Sequence, residues 1–358
     1  MGILAKYFCK EFFKVFLFCH LIFLTIYLTI DFIQKIDDFI EANAANSSML
    51  AYFLYKMPFI MVQMVPVAAL ISVIVMFSLM KKNNEITVLK ASGLSVFRLS
   101  LPVVVASTCL AIAVFLFSEL VVPYASSKSE GIWNREVKKR DQKRFYGRGN
   151  IWYRGDDAIY WIRHFDDKRK VMEGITFYFF DESFHLIKRI EARRAIWTGD
   201  TWRVEQGSIQ VPGDGGTYDF KVFKEMDLDL PEKPEAFLRP VKRPEEMSYW
   251  QLKRFAEGVR LEGYNASRYL VDMNIKLAFP LISLVMVLIG IPITLRLKRG
   301  GTPLAVCVGI GVCFLFLVNM GFARSLGISG VLPPELAAWL ANIIFLLFGI
   351  YLMMRLET

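Results

Sequence analysis

Charged side chains lie within or beside long apolar stretches of this chain, where they could form ion pairs or bind a ligand. They are Asp31, Glu119, Asp272, Lys276 and Arg324. A charge at the centre of a bilayer costs at least about 2.5 kcal/mol on insertion scales, so each should be paired, lie near an interface or face a cavity. Asp272 and Lys276 are spaced as neighbours on one helix face, which favours an internal pair. The alternative is that these charges grip a substrate.

A polar segment, residues 81–93, separates two of the apolar stretches. Its first residues are typical of a helix start, and Gly93 is typical of a helix stop. Ile86, Val88 and Leu89 form an apolar set between them. We therefore predict a short helix beneath the membrane, held by two spanning helices as a lever for a soluble partner. The alternative is a solvated connector that binds nothing.

Motifs of common catalytic and cofactor sites are absent from the sequence. It contains no GxxxxGK[ST] phosphate loop, no HExxH and no GxSxG, which argues against an ATPase or a zinc hydrolase. His164 and His185 are predicted in surface or packing roles rather than as metal ligands. The five cysteines lie in or beside apolar stretches without a CxxC motif, as small buried side chains do. The sequence thus predicts no catalytic residue, no metal site and no cofactor bound by this chain.

Composition places the chain among membrane proteins. Hydrophobic residues make up 54% of the sequence and its mean hydropathy is +0.38, whereas soluble domains contain about 45–50% apolar residues. About 20 apolar residues in a helix cross the hydrocarbon core of a bilayer. Six stretches have this length: 12–33, 59–80, 99–122, 277–295, 302–323 and 337–354. The first is longer than the apolar core of a signal peptide and no small-residue cleavage site follows it, so we predict a retained helix.

The distribution of basic residues predicts the orientation. They cluster at Lys6, Lys10 and Lys14; at Lys81, Lys82, Lys90 and Arg98; and at Arg296, Lys298 and Arg299. The opposite loops are acidic or nearly uncharged. Because Lys and Arg are retained on the cytoplasmic side, both termini are predicted to be cytoplasmic and the segment 125–264 periplasmic, in a bacterial inner membrane.

The segment 125–264 has the charge-mixed composition of a solvated domain, with 27 basic and 24 acidic residues. Short aromatic or β-branched runs predict strands, which favours an antiparallel sandwich or an open jelly roll. The runs are 151–153, 158–162, 174–180, 202–204 and 208–211. A Pro-rich linker, 231–244, leads to a short amphipathic helix predicted at 248–262.

The predicted fold class is therefore a polytopic α-helical membrane protein with six transmembrane helices in a 3+3 order and an inserted all-β, jellyroll-like periplasmic domain. Its first part, 1–124, contains transmembrane helices 1–3 and a cytoplasmic coupling helix at 82–92. The β domain is predicted at 125–247. The last part, 248–358, contains the connecting helix and transmembrane helices 4–6.

Four segments carry a resemblance to a known family. Residues 84–93 read NEITVLKASG and residues 119–123 read ELVVP. Residues 274–280 read NIKLAFP with Gly-Ile-Pro following at 290–292, and residues 332–335 read LPPE, with Trp339 and Asn342 beyond. Together they resemble the coupling segment, the exit from the third helix, the fourth helix and the last loop of the lipopolysaccharide export permeases, the LptF/LptG family. The sequence of the fourth helix favours the LptG branch of the family over LptF.

This resemblance implies a permease subunit of an ABC-type exporter that extracts lipopolysaccharide from the outer leaflet of the inner membrane. The implied partners are a paralogous permease (LptF if this chain is LptG), the cytoplasmic ATPase dimer LptB, which uses ATP, the periplasmic bridge protein LptA and the membrane-anchored LptC. Lipopolysaccharide would pass through the β domain towards the outer membrane. Neither enzyme activity nor nucleic-acid binding is implied for this chain.

The resemblance also assigns roles to residues. Glu85 matches the acidic position that engages the ATPase, and Ile86, Val88, Leu89 and Gly93 belong to the same coupling segment.

Lys276 and Arg296 match basic positions in and after the fourth helix, and Lys35 and Glu119 complete the candidate lining of the substrate cavity. Some family members carry a lysine cluster near the outer end of the first helix, where this chain has Asp31, Lys35, Asp37 and Asp38. The residues of this chain that would hold the lipid phosphates therefore stay open at this point, and the alternative is that the partner subunit supplies the cations.

Two other functions fit the architecture. One is the membrane subunit of an exporter for another envelope lipid or a lipoprotein. The other is a membrane-anchored enzyme or chaperone that acts on envelope lipids through its β domain.

Overall fold

The structure, a computed structural model, divides into two compact units. The membrane unit comprises Met1–Lys139, Arg243–Arg260 and Asn265–Thr358, and the sheet unit comprises Arg140–Lys242 and Leu261–Tyr264. The residues described are 2–138, 151–155, 158–166, 169–181, 184–213, 217–230, 232, 234, 243–261, 265–296 and 301–356. Lys298, Arg299 and most of the predicted 231–244 linker lie outside them. The predicted boundaries 1–124, 125–247 and 248–358 stay predictions.

Six helices are long and apolar enough to cross a membrane, which confirms the predicted number. They are α1 (Ile3–Glu41), α2 (Asn46–Lys82), α4 (Val96–Leu120), α7 (Ser267–Arg296), α8 (Gly301–Ile328) and α9 (Pro334–Met354). With 39 residues α1 is about 58 Å long, well beyond a hydrocarbon core of about 30 Å. The apolar pattern predicted only the parts of α1 and α2 that would lie in the lipid. Both helices extend beyond those parts, because helical hydrogen bonds continue where the side chains become polar.

Three shorter helices lie between the long ones: α3 (Glu85–Ala91), α5 (Val122–Ile132) and α6 (Tyr249–Leu261). The short helices predicted within 81–93 and 248–262 correspond to α3 and α6. Helix α5 was not predicted from the sequence; it continues into one π-helical turn at Trp133–Val137.

The centre of the membrane unit is formed by α2 and α7. Two thirds of the most apolar window of each helix, 67%, is buried inside the chain, compared with 22–39% for the other four. Close packing depends on small residues: a Cβ at Gly290 of α7 would lie 2.9 Å from Leu70 Cδ1 of α2. The four outer helices keep most of their apolar surface facing away from the chain.

The sheet unit contains one six-stranded antiparallel sheet in which each strand pairs with its neighbours in sequence. The strands are β1 (Ile151–Arg154), β2 (Ala158–Asp166), β3 (Val171–Phe180), β4 (Leu186–Trp197), β5 (Trp202–Pro212) and β6 (Tyr218–Leu228). The core of the sheet unit contains Tyr160, Phe177 and Trp202, all fully buried. A helical membrane protein with an inserted β domain, the predicted fold class, is thereby confirmed.

The strand predictions were wrong in three places. Segments 202–204 and 208–211 belong to one strand, β5, and both β4 and β6 were missed. In β4, charged residues separate the buried residues Ile190, Ala192 and Ala195. The segment therefore has the composition of a solvated loop, although one face of the strand packs into the core.

Candidate functional site

Helix α3 lies between α2 and α4, and its apolar residues point in two directions. Ile86 is buried and Leu89, three residues further, packs against the same hydrophobic core. Val88 is 66% exposed. Ile86, Val88 and Leu89 were predicted to form one apolar set, but positions i and i+3 share a helix face and position i+2 does not. The helix is thus embedded by two residues and displays the third.

Glu85, the first residue of α3, connects this helix to α1. Its Oε2 accepts a hydrogen bond from the Tyr7 hydroxyl at 3.0 Å, and its Oε1 accepts one from Asn83 Nδ2 at 3.3 Å. Downstream of α3, Gly93 adopts φ +86°, a left-handed conformation that glycine adopts without strain. Contacts from α1 and from the end of α2 therefore hold α3 in place.

A second group of charges lies at the opposite end of α1 and α2. Asp31 is buried and lies 2.7 Å from Lys56 Nζ and 3.1 Å from Lys35 Nζ. The Lys35 ammonium also lies over the rings of Tyr52 and Trp133, at 5.0 and 5.3 Å from their centroids. Two lysines thus share one carboxylate, which leaves the group with a net charge of +1. Sequence reasoning found Lys35 but missed Lys56, since the two are 21 positions apart on different helices and share no local pattern.

Asp272 forms its ion pair with Arg324 rather than with Lys276. Arg324 Nε lies 2.8 Å from Asp272 Oδ1, and its Nη2 lies 3.1 Å from Oδ2, a two-point pair between α8 and α7. The predicted pair within α7 is therefore wrong. A guanidinium on a neighbouring helix reaches both carboxylate oxygens at once, which is favoured over a single contact with a lysine.

Lys276 lies among carboxylates from three segments. Its electrostatic neighbours are Glu119, Glu245 and Asp272. Within the described part of the chain it forms no hydrogen bond or salt bridge at contact distance. Glu119, at the end of α4, accepts a hydrogen bond from the Tyr249 backbone N–H at 2.7 Å, so it caps the beginning of α6.

Arg296 lies apart from the other candidate cavity residues. Its Nη2 donates to the Arg355 carbonyl at 3.3 Å, and the neighbouring Leu295 carbonyl accepts from Lys81 at 3.3 Å. Lys81 is at the end of α2 that leads into α3. Arg296 and Lys276 are separated by about 30 Å along α7. The structure thus brings Arg296 close to α3, and it brings only Glu119 and Lys276 together.

Over the residues described, no group of three or more His, Cys, Asp or Glu is placed to hold a metal ion. His164 is exposed on β2, and His185 contacts Asp181 at 3.3 Å. The prediction that this chain binds no cofactor stays a prediction.

Six membrane-crossing helices, an inserted antiparallel sheet and charged groups near the helix ends define a multi-pass membrane protein with an extramembrane β domain. The chain belongs to the family of lipopolysaccharide export system permeases LptF/LptG, whose family model matches residues 6–355. A comparison with individually curated proteins gives no match. The family confirms the resemblance found in the sequence, and it makes the chain an inner-membrane permease subunit of the lipopolysaccharide export system. The leaning towards LptG stays a prediction.

Proposed function

We propose that this chain is one of two permease subunits of an ATP-driven lipopolysaccharide exporter, and that α3 couples it to the cytoplasmic ATPase, LptB. The proposal rests on two properties of α3: it is fixed to the membrane unit and it exposes an apolar side chain. Glu85, Ile86 and Leu89 fix this helix to the membrane unit, while Val88 remains exposed. A lever needs both properties, because it must present a surface to the motor and pass the displacement on.

The core around Ile86 supports the transmission of movement. It contains Phe8 and Phe12 of α1, Phe77 of α2 and Leu99 of α4. Interiors packed this closely respond to displacement as a unit and compress little. A push on α3 would therefore move the ends of three spanning helices together.

The distribution of charge supports an orientation with α3 and both termini in the cytoplasm. The basic clusters predicted on the cytoplasmic side lie at the α3 end of the membrane unit, including Lys81, Lys82 and Arg296. The group formed by Asp31, Lys35 and Lys56 then lies at the periplasmic side, and the β domain is periplasmic.

In that orientation, Lys35 and Lys56 lie where the phosphates of an outer-leaflet glycolipid would arrive. Ammonium groups near a membrane surface attract anionic lipids by about 1 kcal/mol each. Asp31 keeps both lysines at fixed positions, and the rings of Tyr52 and Trp133 flank them. The substrate proposed for this surface is lipopolysaccharide. Glu119 and Lys276 stay candidates for the cavity lining, whereas the location of Arg296 associates it with the coupling end.

The outward apolar surfaces support a paralogous partner. In α1, α8 and α9 only 22–28% of the apolar window is buried within the chain, so lipid and a second permease can share the remainder. We assign that place to LptF if this chain is LptG. The proposal extends to delivery through the β domain to LptA, with LptC nearby, as the resemblance to the family implies.

Copurification with the ATPase tests the coupling role of α3. Glu85→Ala and Val88→Asp should each reduce the amount of ATPase recovered with the permease in mild detergent at least about tenfold, as for loss of an interface anchor. Tyr7→Phe is the matched control, because it removes the internal partner of Glu85 and leaves the carboxylate in place. Normal ATPase recovery with both α3 variants would refute the proposed coupling.

A further inference from the structure

A line of irregular positions crosses the sheet from β2 to β6. Regular strand pairs lie on both sides of this line. Between β2 and β3, Ile162 pairs with Ile175 and His164 pairs with Glu173, and Arg163 and Gly174 lie between these two pairs. The same skip recurs at Arg193 in β4, at Gln206 in β5 and at Lys224 in β6.

Burial shows how the line changes the direction of the side chains. In β4, Arg193 and Arg194 are both exposed between the buried Ala192 and Ala195, and β2 has the same arrangement at Arg163 and His164. Regular strands alternate strictly, so two consecutive outward residues mark an irregular position. The pairs on either side keep the same register, so each strand contributes one residue to this line and an additional side chain points out of the core.

Gly174 and Gln206, with φ of +62° and +51°, adopt left-handed backbone conformations on this line. A Cβ at Gly174 would lie 3.0 Å from Arg163 Cβ, so this glycine leaves the space in which the Arg163 side chain lies. Arg163 and Arg193 thus lie on this line, and Arg194 lies next to it.

A cavity of about 680 Å³ opens on this outer face of the sheet. The guanidinium-bearing residues Arg163, Arg193 and Arg194 line it, with Gln206 and Ser208 as further polar groups and Phe220 on one side. Phe220 is exposed, so an apolar ring borders the cationic part of the cavity.

Across the residues that the structure describes, none of the three arginines forms an ion pair at contact distance. Arg193 Nη1 donates to Gln206 Oε1 at 3.2 Å, and Arg163 lies over the Trp161 ring. Of the two carboxylates in the lining, Glu191 is bound to Arg189 at 2.9 Å. The other, Glu173, lies opposite Arg194 on β3, and Glu205 lies opposite Arg194 on β5.

We propose that this cavity is an anion site that binds a phosphoryl group, held by the guanidinium groups of Arg163, Arg193 and Arg194. Planar guanidinium forks match the oxygens of phosphate in two-point hydrogen bonds, and charge-assisted bonds of this kind are roughly twice as strong as neutral ones. The ring of Phe220 offers a surface for the apolar or saccharide part of a phosphorylated headgroup. This site lies on the face of the sheet opposite its hydrophobic core and does not depend on the proposed role of α3.

Binding of inorganic pyrophosphate to the full chain tests this site. In maltoside micelles at fixed ionic strength, calorimetric titration should give saturable binding with one site per chain. Arg193→Gln combined with Arg194→Gln, and separately Arg163→Gln on another strand, should each weaken binding by about tenfold or more. Arg203→Gln is the matched control: it removes the same charge from an arginine of β5 that pairs with Asp227 at 3.1 Å, and it should leave binding unchanged.

Competition identifies the source of the phosphoryl group. Displacement of pyrophosphate by a phosphorylated glycolipid, and not by its dephosphorylated counterpart, supports a headgroup ligand. Displacement by inorganic phosphate alone supports a free anion. The proposal is overturned if no saturable binding occurs, if Arg203→Gln weakens binding as much as the cavity variants, or if hexaglutamate competes as well as pyrophosphate. Thermal unfolding of each variant, unchanged within about 2 °C, shows that the fold is retained.

Discussion

Asp272 on α7 and Arg324 on α8 form a two-point ion pair, 2.8 and 3.1 Å long, between two spanning helices. Asp272 is buried, so removing its partner would leave a charge without compensation in an apolar environment. The pair therefore fixes α8, the least buried of the six helices, against the central helix α7.

Breaking this pair should destabilise the protein. Arg324→Gln is expected to lower the free energy of unfolding by about 2 kcal/mol, because Asp272 keeps its charge and loses its counter-ion. Adding Asp272→Asn should recover part of that loss, since neighbouring substitutions are not additive. Thermal melting in detergent measures both variants, with the exposed Arg268→Gln as a control at the same end of α7. Equal destabilisation by Arg324→Gln and Arg268→Gln would contradict the pairing.

Asp31 should stabilise the protein because two lysines share its carboxylate. Asp31→Asn leaves Lys35 and Lys56 as like charges close together, and it should lower the melting temperature. Lys56→Met added to Asp31→Asn should restore much of the stability, because a single cation remains beside the rings of Tyr52 and Trp133. A double variant no more stable than Asp31→Asn alone would show that repulsion is not the cause.

Neither Lys56 nor the Asp272–Arg324 pair could be read from the sequence, and both depend on contacts between helices far apart in the chain. The six spanning helices were predictable because the bilayer imposes a length of apolar residues on each of them. Strands β4 and β6 carry no such constraint: charged side chains are interspersed with apolar ones along both, and in β4 only the packed sheet shows which are buried. Within the coupling segment, the position of α3 was predictable, whereas the outward direction of Val88 required the structure.

Glu119 should stabilise the beginning of α6 through its hydrogen bond to the Tyr249 N–H. Glu119→Ala removes this cap, which is worth about 1 kcal/mol, and should raise the rate of tryptic cleavage at Lys253 and Arg254 several-fold. Glu119→Gln keeps an oxygen acceptor at the same position, and cleavage should stay near the rate of the unsubstituted protein. If both variants are cleaved equally fast, the charge beside Lys276 matters and the cap does not.

Gly327 should be sensitive to the smallest enlargement. A Cβ at this position of α8 would lie 2.4 Å from the Ala337 Cβ of α9 and 2.8 Å from Val271 Cγ2 of α7. Gly327→Ala should therefore cost about 1–3 kcal/mol of stability by overpacking. Gly321 lies on the same helix with open space around it, so Gly321→Ala should be neutral or slightly stabilising. Thermal melting of the two variants separates a close helix contact from an effect of helix propensity.

The most direct test of the account is the side of the membrane on which α3 lies. In a chain whose five cysteines are replaced by alanine, Ser92→Cys marks the exposed end of α3, and Thr198→Cys marks an exposed turn of the β domain. A membrane-impermeant thiol reagent applied to intact spheroplasts should label Thr198→Cys at once and label Ser92→Cys only after the membrane is permeabilised. Labelling of Ser92→Cys in intact spheroplasts would place α3 outside the cytoplasm and contradict the coupling of this permease to a cytoplasmic ATPase.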